Sequence, residues 1–183
     1  MRPQQAALAE VLREHAIREG EFTLSSGRTS TWYLDGRQVT FRGDCLDLVG
    51  AAILEALTAE LGSVEFDAVG GLAVGAVPVA LAVARASGAR SFAVRKEAKD
   101  HGVSGRMAGP VEATDRVLVV EDTATTGASL LQALDAVEEL GCDVVAASLL
   151  LDRGGEVGSA LEARGVRYAP VLTAPDLGYA FGS

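Results

Sequence analysis

Apolar positions along the chain change period several times, and each change marks an element. From Gln4 to Glu19, Leu8, Val11, Leu12 and Ala16 recur at the spacing of one buried helical stripe, and Gly20 stops it. Phe22 to Phe41 mixes aromatic and β-branched residues with Ser-Ser-Gly-Arg and Asp-Gly-Arg turns, the pattern of short strands around exposed loops. Asp44 to Leu61 predicts a second helix, with Leu46, Val49, Ile53, Leu54, Leu57 and Leu61 on one side. Short apolar runs and helical stretches then alternate. Phe66–Gly70 is a run followed by a glycine turn and the helical Pro78–Ala86, and Ser91–Arg95 and Arg116–Val120 are further runs. Gly127–Leu140 predicts a helix, Asp143–Leu151 a long strand, Val157–Arg164 a helix and Val166–Leu172 a last strand.

Near-continuous Val/Ala/Leu strands alternating with helices predict an α/β fold, a mainly parallel sheet flanked by helices on both faces. The 183 residues suit one domain, 1–183, with a small N-terminal hood over roughly 1–42. Between two core strands lies a polar insertion, Lys96 to Glu112. A connection of that length without a helix is unusual in a compact α/β domain and is usually functional or mobile, so it is the first place to look for chemistry.

Composition narrows the classes. The 25 acidic against 16 basic residues give a net charge of −9 at pH 7, which repels nucleic acid phosphates and anionic lipid. No nucleic acid and no membrane partner is expected, although a local basic pocket for a small anion fits. The longest uncharged stretch, Ala68 to Ala84, is broken by Gly70, Gly71, Gly75 and Pro78 and is shorter than the roughly 20 residues of a spanning helix. Cys45 and Cys142 stand far apart, and with two histidines they make no metal-ligand pattern. With no signal peptide visible at Met1–Gln5, the usage suits a reduced, cytoplasmic protein.

The sharpest chemical signal is the run Val117-Leu118-Val119-Val120-Glu121-Asp122-Thr123-Ala124-Thr125-Thr126-Gly127-Ala128-Ser129. It predicts a buried strand whose carboxyl end delivers two adjacent carboxylates, then a small hydroxyl-rich turn, then a helix. Ligands of open α/β sheets sit at the carboxyl ends of strands. The helix N-terminus offers unpaired N–H groups and a positive dipole end to a phosphate. Thr125, Thr126 and Ser129 add hydroxyls, and Gly127 lets the backbone come close. The carboxylates repel that phosphate, so they suit sugar hydroxyls, a cation or positive charge developing in a reaction. The two halves describe a pocket for a phosphorylated sugar. Neither Gly-x-x-x-x-Gly-Lys-Ser/Thr nor Gly-x-Gly-x-x-Gly occurs.

This segment resembles the phosphoribosyl-pyrophosphate (PRPP) motif of type I phosphoribosyltransferases, in which the two acids contact the ribose hydroxyls and the turn holds the 5′-phosphate. The insertion narrows the resemblance. Arg95, Lys96, Lys99 and His101 fall within Arg95-Lys96-Glu97-Ala98-Lys99-Asp100-His101-Gly102, and Gly102, Gly105 and Gly109 supply hinge points. The run is similar to the flexible catalytic loop of the orotate phosphoribosyltransferases. Phe22-Thr23-Leu24-Ser25-Ser26-Gly27-Arg28, followed by Trp32-Tyr33-Leu34-Asp35, is similar to the hood over the base in that family. Leu150-Leu151-Asp152-Arg153 ends in an arginine where the family contacts orotate.

The resemblance implies transfer of the phosphoribosyl group of PRPP to orotate in pyrimidine biosynthesis, with Lys99, His101 and Asp122 catalytic. PRPP would be bound by Arg95, Lys96, Lys99, His101 and the whole of Glu121 to Ser129. Orotate would be bound by Thr125 and Arg153. Mg2+ would be the cofactor, held mainly by PRPP and water rather than by a protein cage. A homodimer in which loop residues complete the partner's site is also implied. Some members carry lysine at the position of Ser25 or after the glycine turn, where this chain has Val74-Gly75-Ala76, which shifts the burden to Lys99, His101 and the metal. A transferase for a purine would share the Glu121–Ser129 turn but would have no need of Arg153. A PRPP-sensing regulator would need an effector surface, against which the acidic balance argues.

Overall fold

The computed structural model describes residues 1–23, 29–97 and 105–182. Helix α1 (Pro3–His15) leads into an antiparallel hairpin of β1 (Ile17–Thr23) and β2 (Thr29–Leu34), the single-turn helix α2 (Arg37–Thr40) and helix α3 (Leu46–Leu61). Then follow β3 (Ala68–Leu72), α4 (Ala76–Ser87), β4 (Arg90–Val94), β5 (Met107–Ala108) and β6 (Arg116–Ala124). The chain closes with α5 (Ala128–Leu140), β7 (Asp143–Asp152), α6 (Val157–Ala163), β8 (Leu172–Thr173) and a 3-10 turn at Ala174–Leu177. The central sheet has the order β5-β4-β3-β6-β7-β8 and is parallel except for β5, which runs antiparallel to β4.

Alternation along β6 explains both layers. Leu118 and Val120 face a core shared with α1, α3 and α4, whereas Val117 and Val119 face one shared with α5 and α6. A strand buried on both faces reads as a continuous apolar run, which is why no polar alternation shows in the sequence. The first core also takes in Leu8, Leu12, Trp32 and Leu34 of the hood, together with Leu150 and Leu151 of β7. Glu55 of α3 accepts hydrogen bonds from the backbone N–H groups of Gln4 (3.1 Å) and Gln5 (3.1 Å), joining a carboxylate to the open first turn of α1. Among the described residues, no helix is long and apolar enough to cross a membrane.

Several boundaries differ from the sequence reading, each for a tertiary reason. The first helix ends at His15 rather than at Glu19, because Ile17–Glu19 pair with Trp32–Leu34 in the hairpin. The first core strand is Ala68–Leu72, two residues beyond the predicted run. The last predicted strand, Val166–Leu172, is a regular strand only at Leu172–Thr173. The preceding segment follows β7 through Ala169 N–H to Ala147 O (3.1 Å) and Val171 N–H to Leu149 O (2.9 Å), and Pro170 between them has no N–H to give. The polar insertion carries a strand of its own, β5, which caps the β4 edge. β6 runs on to Ala124, two residues past the Glu121–Asp122 pair expected at the strand's carboxyl end.

Gly71 shows how tightly the centre is built. A Cβ there would overlap the carbonyl oxygen of Val120 and the methyl of Ala76. Gly71→Ala is expected to destabilise the protein by about 1–3 kcal/mol through overpacking. Gly43→Ala, which meets nothing within 4 Å, is the control and should change little. Urea denaturation of both variants checks this, and equal midpoints would mean that the sheet yields at Gly71 without cost.

Candidate active site

β3 and β6 are neighbours, but the chain leaves them in opposite directions, from β3 through α4 to β4 and from β6 through α5 to β7. Their carboxyl ends open a crevice at this switch in strand order, the place where open α/β sheets bind ligands. A cavity of about 320 Å3 occupies it, walled by Asp35–Arg37 after β2, Ala73–Gly75 after β3 and Glu121–Thr123 of β6, with Lys96 and Ser129 completing the lining.

Acidic charge sits at the centre. Glu121 is only 4% exposed, and burial, followed by the charge of Asp122, pushes its carboxyl pKa up to about 8. Its Oε1 accepts the Asp122 N–H at 3.0 Å. Burial also raises the Asp122 pKa, opposed by the Thr123 N–H, which donates to Oδ1 at 2.6 Å. A Cβ on Gly75 would stand 3.0 Å from Asp122 Oδ1, and one on Gly36 would stand 3.4 Å from Oδ2. Glycine at both positions lets two loops close on that carboxylate.

Positive potential flanks the acids. α4 starts at Ala76 and α5 at Ala128, so each presents first-turn N–H groups beside the crevice. Gly127, at φ 77°, takes the left-handed conformation that turns the chain into α5. Lys96 adds an ammonium. Arg37 is already engaged, its Nε donating to Asp35 Oδ1 at 2.7 Å, and this holds the Asp35 carboxyl below its ordinary range. Two anion cradles with acids between them suit a ligand that carries phosphate at both ends and hydroxyls, or developing positive charge, in the middle. Among the described residues, no group of three acidic, histidine or cysteine side chains is arranged to hold a metal ion.

The sequence-predicted residues fall in three places. Lys96, Glu121, Asp122, Thr123 and Ser129 line the cavity. Ala124 is buried at the end of β6, Thr125 and Thr126 are exposed on the turn, and Gly127 and Ala128 open α5. Arg153 follows β7, and its N–H donates to Ala124 O at 2.8 Å. Gly154 lies so close to the Thr125 carbonyl that no Cβ could fit, so Thr125 and Arg153 stand side by side. Burial lowers the Arg153 pKa without discharging the guanidinium.

Arg95 turns away from the cavity, donating to Gly105 O (3.3 Å) and Met107 O (3.2 Å). Lys99, His101 and Ser25 lie outside the described residues. The sequence reading placed Asp35 in the hood over the base but missed Gly36 and Arg37 as a cavity wall. Their signal was an Asp-Gly-Arg turn directly after a strand, read there only as a turn.

An open α/β sheet that places an acidic pair between two helix N-termini at its switch point defines a phosphoribosyltransferase, and the phosphoribosyl transferase domain model matches residues 47–160. The orotate phosphoribosyltransferase of Corynebacterium glutamicum (strain R) is 43% identical over 176 residues, covering 95% of this chain and 94% of that protein. The crystal structure of Mycobacterium tuberculosis H37Rv orotate phosphoribosyltransferase with Fe(III) dicitrate superposes with a TM-score of 0.84 at 42% identity, over 96% of this chain and 99% of that one. The same M. tuberculosis protein in complex with PRPP superposes with a TM-score of 0.80 at 40% identity, again over 96% and 99%. The chain belongs to the phosphoribosyltransferase family and, within it, to the orotate phosphoribosyltransferases.

The raised Glu121 pKa sets the sign of a pH dependence. Between its ordinary value of 4.5 and about 8, the folded chain keeps a proton that the unfolded chain has released. This group's contribution to stability is therefore full below the ordinary value and falls as pH rises through that window. Glu121→Gln removes the slope, so the melting temperature of the variant relative to wild type should climb from about pH 5 to about pH 9. Thermal melts across the series check this, and a constant difference would mean that the carboxyl is ionised throughout.

Proposed function

We propose that the protein transfers the 5-phosphoribosyl group of PRPP to orotate, giving orotidine 5′-monophosphate and pyrophosphate in de novo pyrimidine biosynthesis. The observation that carries this reading is the pair of buried Glu121 and half-buried Asp122 held between the N-termini of α4 and α5 at the switch point. In this assignment the start of α5, with Thr125, Thr126 and Ser129, takes the 5′-phosphate. The Ala73–Gly75 loop and Lys96 take the pyrophosphate, joined through the family resemblance by Lys99 and His101, and by Arg95 on leaving the Gly105 and Met107 carbonyls.

As the C1–oxygen bond to pyrophosphate breaks, C1 of the ribose gains cationic character, and a ring nitrogen of orotate forms the new bond to it, its proton passing to the departing pyrophosphate or to water. Glu121 and Asp122 orient the ribose hydroxyls, Glu121 as a proton-bearing carboxyl below about pH 8, and the one negative charge the pair keeps stands beside that centre before the reaction begins, so little reorganisation is needed. Arg153, with Thr125 next to it, orients the carboxylated base, since a planar guanidinium matches carboxylate and carbonyl oxygens. The donor set, two buried acids rather than a cage, fits a hydrated Mg2+ that arrives chelated by PRPP and supplies charge neutralisation on the departing pyrophosphate.

A homodimer suits the surface beside the site. Phe41 (59% exposed) and Val74 (57% exposed) line one groove with Arg37, Gln38 and Arg42, two apolar side chains for a second copy to cover. Two buried, unpaired thiols, Cys45 and Cys142, suit the cytoplasm.

Pyrophosphate release from PRPP and Mg2+ in the presence of orotate, uracil, hypoxanthine, adenine or xanthine tests the reading. Release with orotate alone is expected. Release only with a purine would remove the role of Arg153, and PRPP binding without release from any base would point to a sensor. Lys99→Ala should cut turnover by about 100-fold, in the usual range for a lost proton-transfer or charge-stabilising group, while the melting temperature stays nearly unchanged. A large drop in melting temperature would make Lys99 a structural residue.

A further inference from the structure

The base end of the site contains a stack that the transfer reaction does not by itself explain. Trp32 of β2 is fully buried, with one face against the ring of Tyr179 at 4.2 Å between centroids and 9° between planes. The guanidinium carbon of Arg153 lies 4.0 Å from the Trp32 ring centroid. The backbone beneath Arg153 is fixed from two sides. Asp152 Oδ1 accepts the N–H groups of Gly154 (3.1 Å) and Gly155 (2.9 Å), and Asp152 Oδ2 accepts the Tyr168 hydroxyl at 3.1 Å. From the other side, the Gly182 N–H donates to Arg153 O at 2.8 Å. On this fixed backbone, the guanidinium also has a surface to rest on that bears on the orientation of its plane. That surface is an indole face, whose negative quadrupole attracts the cation and favours parallel stacking.

We propose that Trp32, braced by Tyr179, is the positioning residue that sets the Arg153 guanidinium for the base. The inference rests on the reading that Arg153 binds orotate. A planar fork reads a carboxylate bidentately only in one plane, so a guanidinium left free to tilt spends much of its time unable to make both bonds. The ladder draws its parts from the hood, the end of β7 and the C-terminal segment, so hood and tail residues act on base affinity without touching the base.

Steady-state KM values for orotate and PRPP in Trp32→Leu, Trp32→Phe, Tyr179→Leu, Tyr179→Phe and Arg153→Ala test this. Trp32→Leu keeps an apolar side chain and removes the ring. It should raise the orotate KM by about 5- to 30-fold while the PRPP KM stays within about twofold, and Trp32→Phe should restore most of the loss. Tyr179→Leu should raise the orotate KM about two- to fivefold, whereas Tyr179→Phe, which keeps the ring and loses only the hydrogen bond to Glu19, should match wild type. Because the chain has one tryptophan, Trp32 reports directly, and orotate should change its emission in wild type and Tyr179→Leu but not in Arg153→Ala.

Where the Trp32 variants fail to fold, the Tyr179 pair and the emission titration carry the test. An orotate KM unmoved in the leucine variants while Arg153→Ala raises it would overturn the inference and leave the base assignment standing. An orotate KM unmoved in Arg153→Ala would overturn the base assignment and the inference with it.

Discussion

Two adjacent carboxyls near the end of a core strand, Glu121 buried and Asp122 half-buried, are costly to hold, and the surrounding structure is arranged to tolerate them. Desolvation and mutual repulsion push the Glu121 pKa up to about 8. Without ligand, the pair is eased by a shared proton and by the backbone N–H groups of Asp122 and Thr123. A fold selected for stability alone would place apolar residues there. What the pair gains is a fixed negative field in a water-poor crevice, where it acts on a developing cation far more strongly than at the surface. The helix N-termini on either side then follow from electrostatics, since a phosphate can approach so acidic a centre only where positive ends outweigh it.

Placing that pair depends on small residues more than on polar ones. Gly70 accepts the Phe92 ring against its backbone, and Gly71 lets β3 and α4 close on Val120 one residue before the acids. Gly75 and Gly36 then bring two loops within contact of the Asp122 carboxylate. The order of causes runs from glycine spacing to close packing of strand and helix, then to a crevice narrow enough to desolvate an acid, then to the raised pKa. A side chain at any of these positions would widen the crevice and return the acid towards ordinary behaviour.

The parts of this arrangement that are local in sequence were legible there. The run Val117–Ser129 shows its strand, its acids, its turn and its helix start, because each depends on neighbours along the chain. The sheet class was legible for the same reason, through repeated apolar runs separated by helical stretches. Features decided by partners far away in sequence were not legible. The end of the first helix is set by pairing with β2, the broken last strand by how Pro170 meets β7, and the direction of Arg95 by carbonyls at Gly105 and Met107. Gly36 and Arg37 were missed because a turn motif says nothing about the wall it will form, and Lys99 and His101 lie outside the described residues.

In the proposed assignment the two ends of the site are built by different means, and that division separates chemistry from specificity. The phosphate end rests on helix N-termini and loop backbone, groups that every residue carries and that recognise charge without regard to the base. The base end rests on Arg153, whose backbone is tied to Ala124, Asp152 and the C-terminal segment, and whose guanidinium lies on an indole within the core. A substitution at the base end can therefore change which base is accepted while leaving the sugar phosphate site intact. The converse does not hold, because any change that moves β6 moves both the acids and Ala124, the strand residue to which Arg153 is hydrogen-bonded.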